Sequence, residues 1–366
     1  MKVFFDHRIF LLQKYGGISK YISKLNQYLA YKNVNSIIVS PISINAYLEK
    51  KKENEIVHLR FKKVYKYCNK IFNFYNNSIS DLYIRGFKPD IIHRSYYKPG
   101  YSSTYKHNKI PTVVTVYDLI HEKMYNPKPN NKWKEKYLNE ADHIICISKK
   151  TQNDLLELFN ISKNKTSVVH LGTDIGVTQA SQNKSIYTFQ KKFLLYVGDR
   201  KRYKNFKLFI KAYNNSKILK NEFDIVCCGP ENFSKNENLF FKDYKIDTSK
   251  IRHINASDDE LIYIYKKASS LIFPSKYEGY GLPAIDAMSL GCPVIASDID
   301  VFKEILSDKA VYFNPNDLDD IKKTLENTLL SKNKLEKMSN EGIIHSKNYN
   351  WKQCVDETLN IYKKII

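Results

Sequence analysis

The sequence has no apolar run approaching the ~20 residues that cross a bilayer, so no membrane-spanning helix is expected. The opening segment, MKVFFDHRIFLLQKYGG, interrupts its one short apolar stretch with Asp6, His7 and Arg8. That argues against a secretory leader. Six cysteines, at 68, 146, 227, 228, 292 and 354, form no CxxC pair, and Cys146 and Cys227 sit inside apolar runs. Buried free thiols in a reducing compartment fit this better than disulfides or zinc. No GxGxxG follows an opening strand, which disfavours a dinucleotide oxidoreductase. No solenoid-length repeat occurs, and no RNA- or DNA-binding signature accompanies the scattered lysines. A cytoplasmic protein is expected, at most peripheral to the membrane.

What is present suffices for two cores. The chain has 366 residues, 43% hydrophobic and 13% aromatic, and domains usually run to roughly 100–200 residues. The net charge is +21, from 59 Lys+Arg against 38 Asp+Glu. That is a solvated basic surface, or a match to an anionic partner: nucleic acid, a phosphorylated substrate or an anionic membrane face. Short Val/Ile/Leu-rich runs predict strands at 3–5, 36–39, 90–93, 112–116, 143–147 and 167–170. A polar stretch, 173–190, reads as a linker. The pattern then restarts with strands at 193–197, 224–228, 251–254, 271–273 and 293–296. Continuous apolar strands suit parallel sheets covered on both faces. Amphipathic helices intervene, one of them after Gly17, with Ile18, Tyr21, Ile22, Leu25 and Leu29 at helical spacing. The fold class is therefore α/β, with two Rossmann-like doubly wound domains facing a central cleft. The expected boundaries are 1–175 and 190–345, with a closing helix in 346–366 that packs back toward the first domain.

The sharpest segment is LIFPSKYEGYGLPAIDAMSLGCPVIA, 271–296. A strand runs into a loop with two glycines, and Pro283 suits the first residue of a helix, 283–290, where its missing N–H costs nothing. Amides around Gly281 and Leu282 and the helix dipole would favour a diphosphate. Glu278 on the loop could accept from sugar hydroxyls, and Asp286, placed in the first helical turn, from ribose hydroxyls. A tight strand–helix connection with no ligand explains the same residues equally well. A second segment, YVGDRKRYKNF, ends a strand at Gly198 and follows it with Arg200, Lys201, Arg202 and Lys204. A charge run of this kind is more often a solvated loop. A third, IRHINASDDELIYIY, turns from strand to helix near Asp258, a good N-cap.

These motifs resemble glycosyltransferase family 4, retaining enzymes of the GT-B fold that use nucleotide-activated sugars. The family signature is a Glu, then G-[FY]-G-L-P, then a second acidic residue eight positions after the first. Here it reads Glu278, Gly279, Tyr280, Gly281, Leu282, Pro283 and Asp286, with Asp where the family usually has Glu. The resemblance implies that Glu278 contacts the donor sugar, Asp286 the ribose, and Arg200 and Lys204 the donor phosphates, with Lys201 and Arg202 left as surface charges. It places Ile254 and Asn255 beside the nucleotide base and Gly16 and Gly17 beside the phosphate. TVYDLIHE, 115–122, resembles a motif of the same subgroup, although many relatives carry His where Tyr117 stands. Asp118 and His121 are catalytic candidates on that basis, and His93 borders the same cleft. Ser148 is expected to cap the helix that follows it.

By this resemblance the chain moves a sugar from a nucleotide-diphosphate-sugar to a saccharide or lipid-linked saccharide acceptor, with no cofactor and no metal. Surface polysaccharide synthesis (O-antigen, capsule or lipopolysaccharide) is the expected setting. Residues 41–88 match the family least, and Lys50, Lys51, Lys52, Arg60, Lys62, Lys63, Lys66 and Lys70 there could face an anionic membrane. The alternatives are another GT-B enzyme, such as a nucleotide-sugar epimerase, and a basic nucleic-acid-binding protein.

Overall fold

The computed structural model describes residues 1–48, 55–60, 69–96, 110–125, 132–173 and 187–366. They form two units, Met1–Gly172 with Trp351–Ile366, and Thr173–Asn350. Most of the expected linker, 174–186, and the basic residues 50–52, 62, 63 and 66, with Cys68, lie outside the described residues.

The first unit runs β1 (Lys2–Phe5), α1 (Gly17–Tyr31), β2 (Asn35–Ser43), β3 (Glu55–Arg60), α2 (Asn69–Phe87), β4 (Ile91–Arg94), β5 (Thr112–Val116), α3 (Lys132–Glu140), β6 (His143–Cys146), α4 (Lys149–Leu158) and β7 (Thr166–Val168). The sheet order is β3-β2-β1-β4-β5-β6-β7 and every pairing is parallel. Val3, Phe4, Phe5, Ile91, Ile92, Val113 and Val114 are buried, as runs without polar alternation require of central strands. β3 was not anticipated. It pairs with β2 alone, at the sheet edge, and its EIVHLR sequence mixes polar and apolar residues.

The second unit runs β8 (Lys192–Val197), α5 (Phe206–Asn214), α6 (Lys217–Glu222), β9 (Phe223–Cys228), α7 (Lys235–Asp243), β10 (Ile251–Ile254), α8 (Asp258–Lys267), β11 (Ser270–Phe273), α9 (Leu282–Ser289), β12 (Val294–Ser297), α10 (Asp300–Leu306), β13 (Val311–Phe313), α11 (Leu318–Leu329) and α12 (Lys332–Ser346). The order β10-β9-β8-β11-β12-β13 is again all parallel. β13, three residues long, was too short to read from the sequence. Tyr196, Phe206, Phe209, Tyr213, Phe240 and Phe241 fill one face of this sheet. Each such side chain contributes roughly 1.5–3 kcal/mol by leaving water.

The last helix, α13 (Trp351–Ile365), belongs to the first unit. Trp351 lies 6.1 Å from the Tyr21 ring, and Lys32 Nζ is 2.7 Å from Asp356. Tyr362 OH sits 2.5 Å from His93 Nδ1, while His93 Nε2 is 2.8 Å from Thr115 Oγ1. Burial holds the His93 imidazole at a pKa of about 3, so the ring is neutral. His93 is thus a buried hydrogen-bonded link between β4, β5 and α13.

Candidate functional site

In an open parallel sheet, ligands bind beyond the carboxyl ends of the strands where the strand order reverses. In the second unit that point lies between β8 and β11. The two loops leaving these strands are 198–204 and 274–281, the segments that carry Arg200, Lys204 and Glu278.

They are joined directly. Lys276 N donates to Tyr203 O at 2.8 Å, and Lys204 Nζ donates to Glu278 Oε1 at 2.6 Å. Both partners are largely buried, Glu278 at 8% exposure. The Lys204 ammonium also lies over the rings of Tyr203 and Phe273, at 5.3 and 5.6 Å. The loop ends at Gly281, the N-cap of α9, with φ +109°. A Cβ there would meet Phe302 Cε1 at 2.9 Å, so glycine is needed for both conformation and space. Pro283 is the second residue of α9 and not the first as expected, because the helix begins one residue earlier, at Leu282; its missing N–H still falls in the first turn, where it costs nothing. The amides of Gly281 and Leu282 have no acceptor among the described residues, which leaves a helix N-terminus able to receive an anion. Gly279 and Tyr280 are buried within the same loop.

Two further expectations need correction. Asp286 is not in the first helical turn, because α9 begins at Leu282 and makes Asp286 its fifth residue. Its Oδ1 accepts from Thr173 Oγ1 at 2.5 Å, and Thr173 N in turn donates to Tyr349 O. Asp258 is not the cap of α8. Ser257 is, because Glu260 closes a capping box with it, which Asp258 could not do one position later. Arg200 is tied to its surroundings by three hydrogen bonds. Its Nε donates to Glu237 Oε1 at 2.5 Å, and its Nη2 to the carbonyls of Glu231 and Asn232 at 2.8 and 2.9 Å. Lys201 and Arg202 are exposed. Ile254 is buried at the end of β10 and Asn255 is exposed just beyond it.

The remaining candidates lie in the first unit. Gly16 is the N-cap of α1 and Gly17 its first residue, and Gln13 Oε1 accepts from Ser19 N at that end. Asp118 Oδ1 accepts from Ile120 N in a local turn, and His121 is exposed. Tyr117, in the place of the family's His, is buried and donates from its hydroxyl to Ser95 O at 3.3 Å. Ser148 caps α4 by accepting from Thr151 N.

Sequence reasoning missed a buried cluster at this sheet's own reversal point, between β1 and β4. Asp6 Oδ1 accepts from Ser95 N at 3.1 Å and from the Ser95 hydroxyl, and Asp6 Oδ2 lies 3.5 Å from Arg8 Nε. Arg94 stacks on the Tyr137 ring at 4.5 Å. The available signal was an Asp-His-Arg run, Asp6 to Arg8, immediately after an apolar strand. The five described cysteines are buried and free. Among the described residues no group of three or more His, Cys, Asp or Glu could hold a metal ion, and no helix is long and apolar enough to cross a membrane.

The folding pattern is shared with solved structures of GT-B glycosyltransferases. Sucrose-phosphate synthase from Thermosynechococcus elongatus superposes with a TM-score of 0.80 over 99% of this chain and 98% of its own, at 16% identity. Residues 179–345 match the family model "Glycosyl transferases group 1", and residues 15–177 match "Glycosyltransferase Family 4". The chain belongs to this glycosyltransferase family. Among curated relatives, the O-antigen chain mannosyltransferase B of Escherichia coli is 26% identical over 65% of this chain, and the O-antigen chain mannosyltransferase RfbU of Salmonella typhimurium 30% identical over 49%. The matches span 66% and 49% of those two proteins' lengths.

Proposed function

We propose that the protein transfers a sugar, with mannose the first candidate, from a nucleotide-diphosphate-sugar to a saccharide or lipid-linked saccharide, with retention of anomeric configuration. The observation that carries this reading is the Lys204–Glu278 pair at the reversal point of the second sheet. The residues assigned to donor phosphate and to donor sugar lie within one hydrogen bond of each other, 2.6 Å apart. Donor binding gives each a better partner. Sugar hydroxyls donate to the Glu278 carboxylate, and Lys204 turns to the diphosphate.

In this reading Arg200 and the amide-bearing start of α9 share the diphosphate, Asp286 accepts from the ribose, and the base lies by Ile254 and Asn255. Gly16 and Gly17 approach the phosphate through their backbone, and Asp118 and His121 serve the acceptor side. The phosphate's charge grows as the glycosidic bond breaks, and fixed cations stabilise that growth. Lys204 and Arg200 supply the charge that a metal would otherwise bring. The departing phosphate takes the acceptor proton in a front-face displacement. The O-antigen mannosyltransferases among the relatives support a role in surface polysaccharide synthesis.

The acceptor is proposed to be met at an anionic membrane face. On α2, Ile71, Phe74, Tyr75 and Leu82 are exposed along one helical stripe, and the sequence just before it, RFKKVYKYC, carries four basic residues. Incubation with UDP-, GDP-, ADP- and dTDP-sugars and a saccharide acceptor tests the reading. One donor should yield a glycoside of unchanged anomeric configuration. Absence of transfer from every donor sinks the proposal, and release of a free epimerised sugar would assign the epimerase instead.

A further inference from the structure

We propose that Glu237 is the positioning residue for the Arg200 guanidinium, turning one nitrogen of it toward a diphosphate; this rests on the donor reading above. A guanidinium has five N–H donors in a rigid plane. Three of them are committed: Nε–H to Glu237 Oε1, and the two of Nη2 to Glu231 O and Asn232 O. The plane also rests on the Phe233 ring, 4.8 Å from its centre. Only the two donors of Nη1 lack an acceptor among the described residues.

That nitrogen lies by a stretch of backbone without a side chain. A Cβ built on Gly229 would stand 4.0 Å from Nη1 and 2.6 Å from the Gly198 carbonyl oxygen. Glycine at 229 therefore lets the turn after β9 close on the turn after β8, and Gly198 N donates to Cys228 O at 2.8 Å. Nη1 stands at this glycine-lined junction of two strand ends, on the carboxyl edge of the sheet beside β8, the strand that borders the reversal point.

Glu237 cannot swing away. It is the third residue of α7, and its Oε2 accepts from Ser234 N at 2.8 Å and from Ser234 Oγ at 2.7 Å in a capping box. Burial would raise its carboxyl pKa, but the bonds from Arg200 and Ser234 outweigh this and hold it below the ordinary value. Glu278 has no comparable brace. Its hydrogen-bond partner among the described residues is Lys204. The two ion pairs therefore differ: Lys204–Glu278 can exchange partners on donor binding, whereas Arg200–Glu237 keeps its geometry.

The test compares each nucleoside diphosphate (UDP, GDP, ADP, dTDP) with its nucleoside by calorimetry, directly or by displacement. The ratio of the two Kd values reports the grip on phosphate. For the nucleotide that binds, Glu237→Ala should lower this ratio about tenfold, the loss of one charge-assisted bond, with the nucleoside Kd unchanged. It should have no further effect in an Arg200→Ala background, because Glu237 acts through Arg200. Glu237→Gln, which can keep the capping box, should restore part of the ratio. Ser234→Ala, which keeps the Ser234 N–H bond to Glu237 and loses the Oγ bond, should lower Tm and reduce the ratio by clearly less than Glu237→Ala does. An unchanged ratio in Glu237→Ala, an equal loss in Ser234→Ala, or additive losses with Arg200→Ala would overturn the assignment. If the wild type binds no nucleoside diphosphate, the donor reading falls and takes this one with it.

Discussion

Lys204 and Glu278, 74 positions apart, share a 2.6 Å hydrogen bond that ties the loop after β8 to the loop after β11. Neither residue can be removed without exposing the other. Lys204→Met leaves a largely buried carboxylate unpaired, and Glu278→Gln leaves an ammonium without its counter-charge. Each single change should cost about 1–3 kcal/mol in chemical denaturation, less than a fully buried pair because both groups retain some solvent. The double change should recover most of that loss. Transfer should fall at least about 100-fold in all three, since a fixed cation and a sugar ligand are gone. Recovery of turnover together with stability in the double variant would show the pair to be structural only.

Gly281→Ala should destabilise the protein by about 1–3 kcal/mol. It forces a Cβ into φ +109° and to within 2.9 Å of Phe302. Donor affinity should fall as well, because the displaced backbone carries the amides at the start of α9. A melting curve matching wild type would contradict the conformational requirement.

Stability should decline as the pH falls below about 6.5. His93 is held at a pKa of about 3 and His7 at about 4 in the fold, both by burial, against an ordinary 6.5. Between these values the unfolded chain binds protons that the folded chain refuses, so unfolding becomes easier at lower pH. Above about 6.5 both states are neutral at these sites and the effect vanishes. His93→Gln should be less stable at pH 7.5 through loss of the ring's packing, yet show a smaller drop between pH 7.5 and 4.5. An acid slope as steep as wild type's would reject His93 as a contributor.

Vesicle binding should depend on α2. Phe74→Asp with Leu82→Asp should weaken co-sedimentation with phosphatidylglycerol vesicles about tenfold or more, the loss of two side chains worth roughly 1.5–3 kcal/mol each when buried in lipid. Pure phosphatidylcholine vesicles should bind little, and salt should weaken what binds. Equal binding by the variant would remove this helix from the interface.

The sheets were legible in the sequence for a physical reason. Central parallel strands are covered on both faces, so Val3–Phe4–Phe5 and Leu271–Ile272–Phe273 read as unbroken apolar runs. Edge strands need not follow that rule: β3, of mixed polarity, and β13, three residues long, were missed, while the edge strands β7 and β10 were read. The strand–loop–helix around Glu278 was legible because Gly281 and Pro283 are each dictated by local backbone needs. What stayed hidden were the long-range partners. Nothing local to Arg200 announces Glu237, 37 positions away, and nothing near Asp286 announces Thr173, 113 away. Even the cap of α8 turned on a partner three residues downstream, Glu260, which selects Ser257 over its neighbour. Side-chain pairing depends on where the topology brings strand ends together, and that is settled only once the sheet order is known.

The placement of α13 bears on how the molecule is made. The second unit is one unbroken stretch, Thr173–Asn350, and can finish folding as it leaves the ribosome. The first is interrupted by it, and Tyr362 reaches His93 across 269 positions of chain. The unit that holds Tyr21 and His93 must therefore wait, with that surface uncovered, for a helix translated after the whole of the second unit.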